Sequence, residues 1–230
     1  MSAGVEVRPE PAGGATNADV AYEQIRERLI MLDIRPGEPI NDERLAAELG
    51  FGRTPVREAL KRLERDRLVM AYPRRGTFAT GVDITDLGHI SVIRKHLEPV
   101  AAGLAAAAAT ERTRAAFALL ADDLDSADLG EDRREILMRD VRIHREVYRA
   151  SGNPYLEDVL ICQDAHATRI WCLFLDRLPQ LVPHVREHAD LLRAVADGDV
   201  AAAERCALEH VVGFEAAIRG VLRNEAPAGA

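Results

Sequence analysis

The chain has 230 residues, with 30 Lys and Arg against 38 Asp and Glu for a formal charge of −8, and 47% of it is apolar, enough to bury a core. No stretch reaches the ~18 uninterrupted apolar residues of a membrane span, and the first residues lack the apolar centre of a signal peptide, so a soluble cytoplasmic protein with no membrane association is expected. Cys162, Cys172 and Cys206 are odd in number and contain no CxxC pair, which argues against a disulfide framework or a thiolate zinc knuckle.

Charge is unevenly spread. Residues 53 to 75 hold eight basic side chains (Arg53, Arg57, Lys61, Arg62, Arg65, Arg67, Arg74, Arg75) against three acidic ones, whereas all seven histidines lie beyond residue 88. Two chemistries in two parts of one chain predict two domains. We expect a tail over 1–18, a DNA-binding domain over 19–80, an all-α domain over 81–225 and a short tail over 226–230. The first 18 residues are rich in Gly, Ala and Pro without periodicity and read as disordered.

In chain order, Tyr22 to Leu32 carries a helical stripe at Ile25, Leu29 and Leu32 and stops at the turn Arg35 to Pro39. A second helix begins at Asn41 or Asp42, faces inward with Leu45, Ala46 and Leu49, and ends at Gly50 to Gly52. The third helix reads with Thr54 as N-cap and Pro55 at its first position, followed by Val56, Ala59, Leu60 and Leu63 at core spacing. Its other face is basic, with Arg57 and Lys61 one turn apart and Arg53 at the start. Leu68 to Tyr72 and Thr77 to Thr80 read as a hairpin with Arg74 and Arg75 at its tip.

Together these elements predict a winged helix-turn-helix whose third helix enters the major groove of double-stranded DNA. Arginine suits that role because its fork pairs bidentately with guanine. A solvated basic face is the plainer alternative, but a charge run placed on a capped third helix favours DNA.

Beyond Ile84 the apolar period is helical almost throughout, with breaks near Thr110, Gly130, Gly152 to Pro154, Leu178 to Pro183 and Gly198, which predicts an antiparallel bundle of about six helices. The fold class is therefore mostly α. On the helix from Arg133 to Ala150, Asp140 and His144 share the inward face with Ile136, Leu137, Ile143 and Val147. His188 shares a face with Leu191, Leu192 and Val195 on a helix from Pro183 to Asp197, and His210 lies with Cys206, Phe214 and Ala217 on the last helix. One carboxylate and three imidazoles aimed at one interior suit a divalent transition metal such as zinc or nickel. The alternatives are hydrogen-bonded core histidines and a buried Asp140–His144 pair. His184 and His166 are rival ligands. Arg94, on a stripe with Leu87, Ile90 and Leu97, faces either an anionic ligand or an intramolecular carboxylate such as Glu98. Arg169, beside His166, is a second candidate anion contact.

The run NDERLAAELGFGRTPVREALKRLERDRLV followed by PRRGTF resembles the DNA-binding domain of GntR-family transcription regulators. The resemblance implies that Arg53 and Arg57 contact bases or phosphates, that Thr54 contacts a phosphate, and that Gly76 lets the wing approach the minor groove. The position before Arg53 is usually Ser or Thr in that family and is Gly52 here. RxxLEP at 94–99, DxxxHxxxxxxSGNP at 140–154 and EHxxLLxAVxxGDxxxAxxxxxxH at 187–210 resemble the FCD domain of the FadR-like subgroup. That resemblance implies metal ligation by Asp140, His144, His188 and His210, with zinc first and nickel or manganese after it, and argues against an acyl-CoA ligand.

The expected function is a homodimeric regulator, a repressor, that binds a pseudo-palindromic operator and responds to a small organic acid bound at the metal, with Arg94, His166 and Arg169 as contacts for this effector. Two alternatives are a metal-dependent hydrolase or lyase and a regulator whose metal is purely structural.

Overall fold

A computed structural model describes residues 14–126, 132–178 and 181–225, and the chain divides into two compact units at Gly81 and Val82. Most of residues 1–18, the expected break at Gly130 and the tail over 226–230 lie outside the described residues.

The first unit opens with α1 (Asn17–Ile30), which begins earlier than the stripe from Tyr22 suggested. Thr16 and Asp19 form a reciprocal capping box, each side chain bonding the other's backbone N–H, and this satisfies donors that the first turn leaves open. The helix therefore takes over the last residues of the expected tail. β1 (Pro39–Ile40) follows, then α2 (Asp42–Leu49), α3 (Arg53–Arg65), β2 (Val69–Tyr72) and β3 (Gly76–Ala79). The strands form an antiparallel sheet of order β1-β3-β2, with Pro39 opposite Phe78 and Val69 opposite Ala79. The sequence pattern showed the hairpin but missed β1, a two-residue strand inside what reads as a turn.

α2 starts where Asn41 Oδ1 accepts the backbone N–H groups of Glu43 and Arg44 and ends at Gly50, whose φ of 71° is left-handed. A residue without Cβ takes that conformation without strain. Asn41→Ala should therefore destabilise this unit by about 1 kcal/mol, measured as a lower denaturation midpoint at unchanged slope. An unchanged midpoint would refute the capping role.

α3 begins one residue before the expected cap. Gly52, extended at φ −72° and ψ 164°, is the N-cap and offers no side-chain bond, while Thr54 and Pro55 lie inside the first turn. Proline fits there because first-turn N–H groups have no helical acceptor. Val56, Ala59, Leu60 and Leu63 are buried and α1 packs on α3. Arg62 Nη1 bonds Asp19 Oδ1 at 2.6 Å and the guanidinium lies over the Tyr22 ring at 4.1 Å, so this basic residue ties α3 to α1.

The second unit is helical: α4 (Asp86–Ala108), α5 (Glu111–Ser126), α6 (Arg133–Ala150), α7 (Pro154–Phe174), α8 (Leu181–Arg186), α9 (His188–Asp197) and α10 (Val200–Glu225), with a 3-10 turn at Leu175–Arg177. α4 packs along α10 and also meets α6, α7 and α9, while α5 packs on α9. Asp132 caps α6, and Asn153 with Pro154 opens α7. The helix expected from Pro183 to Asp197 is two helices, because the chain breaks at Glu187, and Pro183 lies inside α8. Trp171, Tyr148, Leu137 and Leu160 are among the most buried side chains. No helix among the described residues is long and apolar enough to cross a membrane.

Candidate metal centre and nucleic-acid interface

α6 has a strongly one-sided apolar face, so the helical period alone carries Asp140 and His144, one turn apart, into the interior. The break at Glu187 resets the next helix so that His188 becomes the first residue of α9 and is fully buried. α10 supplies His210. Asp140, His144, His188 and His210 are all buried and each offers a ligand atom within 4.8 Å of the others. His144 Nε2 lies 3.1 Å from His210 Nε2 and 3.2 Å from His188 Nε2, and 3.8 Å from Asp140 Oδ2.

These distances test the fit to a metal. Three Nε2 atoms converge, yet one N–H cannot point at two acceptors, so hydrogen bonding leaves lone pairs facing one another. Nitrogen ligands at about 2.0–2.1 Å from one ion at tetrahedral or octahedral angles stand about 2.9–3.4 Å apart, which matches the two spacings. Asp140 Oδ1 is buried without a hydrogen bond. The donor set therefore fits a divalent transition ion.

The outer ring nitrogens of His188 and His144 are hydrogen-bonded from behind, whereas His210 Nδ1 is buried without a hydrogen bond. His188 Nδ1 donates to the Val185 carbonyl at 3.0 Å, which leaves Nε2 as a lone pair. His144 Nδ1 lies 3.1 Å from the Tyr148 hydroxyl and 3.4 Å from Glu98 Oε2. His210 Nδ1 lies 3.4 Å from Glu187 Oε2, and His184 Nδ1 lies 3.2 Å from the same oxygen. The ring of His184 stacks on His210 at 4.1 Å, and His184, Glu187 and His210 form a second trio of donors beside the set of four. His166, on α7, is half-buried and is not in that set.

Burial, joined by repulsion among neighbouring imidazoles, pushes His188 and His210 well below the usual histidine range. Burial acts the same way on His144, but Glu98 outweighs it and raises this group to about 9. Asp140 is raised, chiefly by burial.

Arg94 is buried and its Nε bonds Glu98 Oε1, while Nη2 lies 3.7 Å from Asp164 Oδ1 and the guanidinium sits over Phe214 at 5.1 Å. Of the two readings of Arg94, the intramolecular pair is the one present. Asp164, which sequence reasoning missed, is buried, and its Oδ2 has no hydrogen bond. With neutral imidazoles, Glu98, Asp140, Asp164 and Arg94 carry a formal charge of −2, which a divalent ion balances. Arg169 is buried on α7, and burial lowers it to about 10.

In the first unit, Arg53, Thr54, Arg57 and Lys61 are exposed on α3, and Arg74, Arg75 and Gly76 are exposed at the tip of the β2–β3 hairpin. Gly76 has a φ of 96°, and Arg74, a residue with a Cβ, has a φ of 63°. The Arg75 N–H bonds the Tyr72 carbonyl at 3.0 Å, closing a turn that needs a left-handed residue at Arg74's position. With Arg65 at the end of α3, six basic side chains thus lie exposed on the third helix and the wing.

A winged helix-turn-helix with such a face makes the chain a DNA-binding transcription regulator. Residues 17–79 match the bacterial regulatory proteins of the gntR family, residues 89–213 match the FCD domain, and the chain belongs to the GntR family with an FCD domain after its DNA-binding domain. The "Uncharacterized HTH-type transcriptional regulator in unstable DNA locus" of Streptomyces ambofaciens is 29% identical over 86% of this chain and 83% of its own. The HTH-type transcriptional repressor RspR of Escherichia coli (strain K12) is 22% identical over 87% of this chain and 88% of its own. Among solved structures, E. coli McbR/YncC has a TM-score of 0.77 at 22% identity, covering 90% of this chain and 98% of that one, and shares the fold. These relatives and domains are those of transcription regulators, not enzymes, and the hydrolase or lyase alternative falls away.

Proposed function

We propose that the chain is a repressor, working in the cytoplasm, whose operator binding is controlled by a small carboxylate metabolite at a zinc centre in the helical domain, with nickel or manganese as substitutes. The convergence of four buried ligand atoms from α6, α9 and α10 carries this reading. Asp140, His144, His188 and His210 would hold the ion. Zinc held there would supply a Lewis acid for a carboxylate.

Residues 19–80 would bind DNA. Arg53 and Arg57 would read bases or phosphates, Thr54 and Lys61 would contact phosphates, and Arg74, Arg75 and Gly76 would bring the wing to the minor groove. Residues 81–225 would sense the effector. Arg94 would meet it by exchanging Glu98 for the ligand carboxylate, with Arg169 and His166 as outer contacts. A homodimer on a pseudo-palindromic operator follows from the few base pairs that one helix can read. The exposed apolar side chains Val92, Val100 and Leu104 on α4, with Leu208 and Val212 on α10, favour such pairing. RspR of E. coli, named a transcriptional repressor, supports the sign of the output.

Zinc-loaded protein should give a sequence-specific, salt-dependent gel shift that weakens when a small carboxylate from a panel is added, because the effector must favour one conformation to switch anything. A shift that no carboxylate alters would refute this effector class. A second reading, a structural ion only, is favoured by the complete burial of the ligands and by Arg94 already having its partners. Under it, His188→Ala lowers thermal stability and leaves the effector response intact.

A further inference from the structure

We infer that Asp42, at the first position of α2, is a positioning residue that holds the two arginines of the reading helix for base recognition. The inference rests on the proposal that Arg53 and Arg57 read DNA.

Asp42 Oδ2 accepts a hydrogen bond from Arg57 Nε and lies 3.9 Å from Arg53 Nη2, so one carboxylate oxygen serves two side chains from the start of α3. The two guanidinium side chains are 51% and 57% exposed and Asp42 is 27% exposed. The carboxyl is held below the usual aspartate range, chiefly by the Arg57 hydrogen bond.

The atom used matters. Arg57 is gripped at Nε, which leaves the paired Nη1 and Nη2 hydrogens free as the fork that bidentate recognition of guanine requires. An unrestrained arginine gives up about 2 kcal/mol of rotamer freedom when it is fixed on a base. A carboxylate that fixes it beforehand removes part of that loss for specific binding.

Folding does not explain this contact. Exposed pairs contribute about 0–1 kcal/mol to stability. Nor does general affinity for DNA, since a carboxylate on this face repels phosphates. An acidic group between two basic ones on a surface that meets a polyanion weakens mixed-sequence binding and strengthens discrimination.

The test uses the full chain and two probes: a duplex enriched from a random pool by the wild-type protein, and sheared calf-thymus DNA. In Asp42→Asn, affinity for the enriched duplex should fall about tenfold, by loss of preorganisation. Affinity for calf-thymus DNA should rise about twofold as the repulsive charge is lost. Asp42→Glu should recover most of the ratio, the thermal midpoint should stay within about 2 °C, and in an Arg57→Ala background Asp42→Asn should cost the enriched duplex clearly less than about tenfold, because only the Arg53 contact is left to lose.

Opposite movement on the two probes is what a merely structural role would not produce. An unchanged ratio, or equal losses on both probes, overturns the role of Asp42 and leaves DNA reading by Arg57 standing. Failure of the wild-type protein to enrich any sequence overturns both.

Discussion

His188→Ala protein is expected to carry no transition metal where the wild-type chain carries one divalent ion, measured by elemental analysis after dialysis. Of the four candidate ligands, His188 is the best prepared for metal. Its Nδ1 is committed to the Val185 carbonyl and burial holds the ring neutral, so Nε2 presents a lone pair without first losing a proton. Removing it leaves His144, His210 and Asp140, and Asp140 is then a buried carboxylate short of compensation, a defect of about 3–5 kcal/mol. With zinc supplied, the variant's thermal midpoint should lie below that of the wild type, and most of the difference should vanish in the presence of a chelator. Retention of metal in the wild-type amount would refute the site.

The same centre predicts proton release. His144, raised to about 9 without metal, is protonated at neutral pH and must lose its proton to become a ligand. Below its raised value, each pH unit of acidification should therefore weaken loading by up to about tenfold.

Arg57→Ala should abolish specific operator recognition while leaving metal content at the wild-type level. A good bidentate contact gives about 1–3 kcal/mol of discrimination, and a dimer uses it twice, so specific affinity should fall by about two to four orders of magnitude. Lys61→Ala, as a phosphate contact, should instead weaken binding to all sequences alike and reduce the salt dependence by about one ion. Gel shifts across a salt series separate the two. An Arg57→Ala protein that discriminates as well as the wild type would remove this residue from the reading set.

How legible these sites were depended on where the signal lay. α6 was readable from Arg133 to Ala150 because apolar side chains mark one face, so the depth of Asp140 and His144 follows from spacing. The break at Glu187 was invisible, since neither glycine nor proline marks it and the helical period continues through it. Its effect on the site is nonetheless large, because Glu187 backs His184 and His210 and His188 starts a new helix. The Arg94–Glu98 pair, four residues apart on one helix, was legible as one of the two readings of Arg94. Asp164 was legible only as an acidic residue on a helix, and its approach to Arg94, like that of Glu98 to His144, is tertiary, so no local pattern encodes it. Thr54-Pro55 resembled a cap because proline is welcome at several first-turn positions, and only the extended backbone of Gly52 identifies the real one. The capping box of Thr16 and Asp19 was present in the letters but masked by the Gly- and Ala-rich stretch before it.

The formal charges buried around the histidines also bear on which ions the fold tolerates. Three carboxylates against one guanidinium are matched by a doubly charged ion, whereas a univalent ion leaves residual negative charge and a trivalent one residual positive charge, each costing several kcal/mol in a dry interior. On this charge balance the bundle would select ions by valence before ligand chemistry. Ferrous iron would lose its match on oxidation, while zinc has no second oxidation state through which the match could be lost.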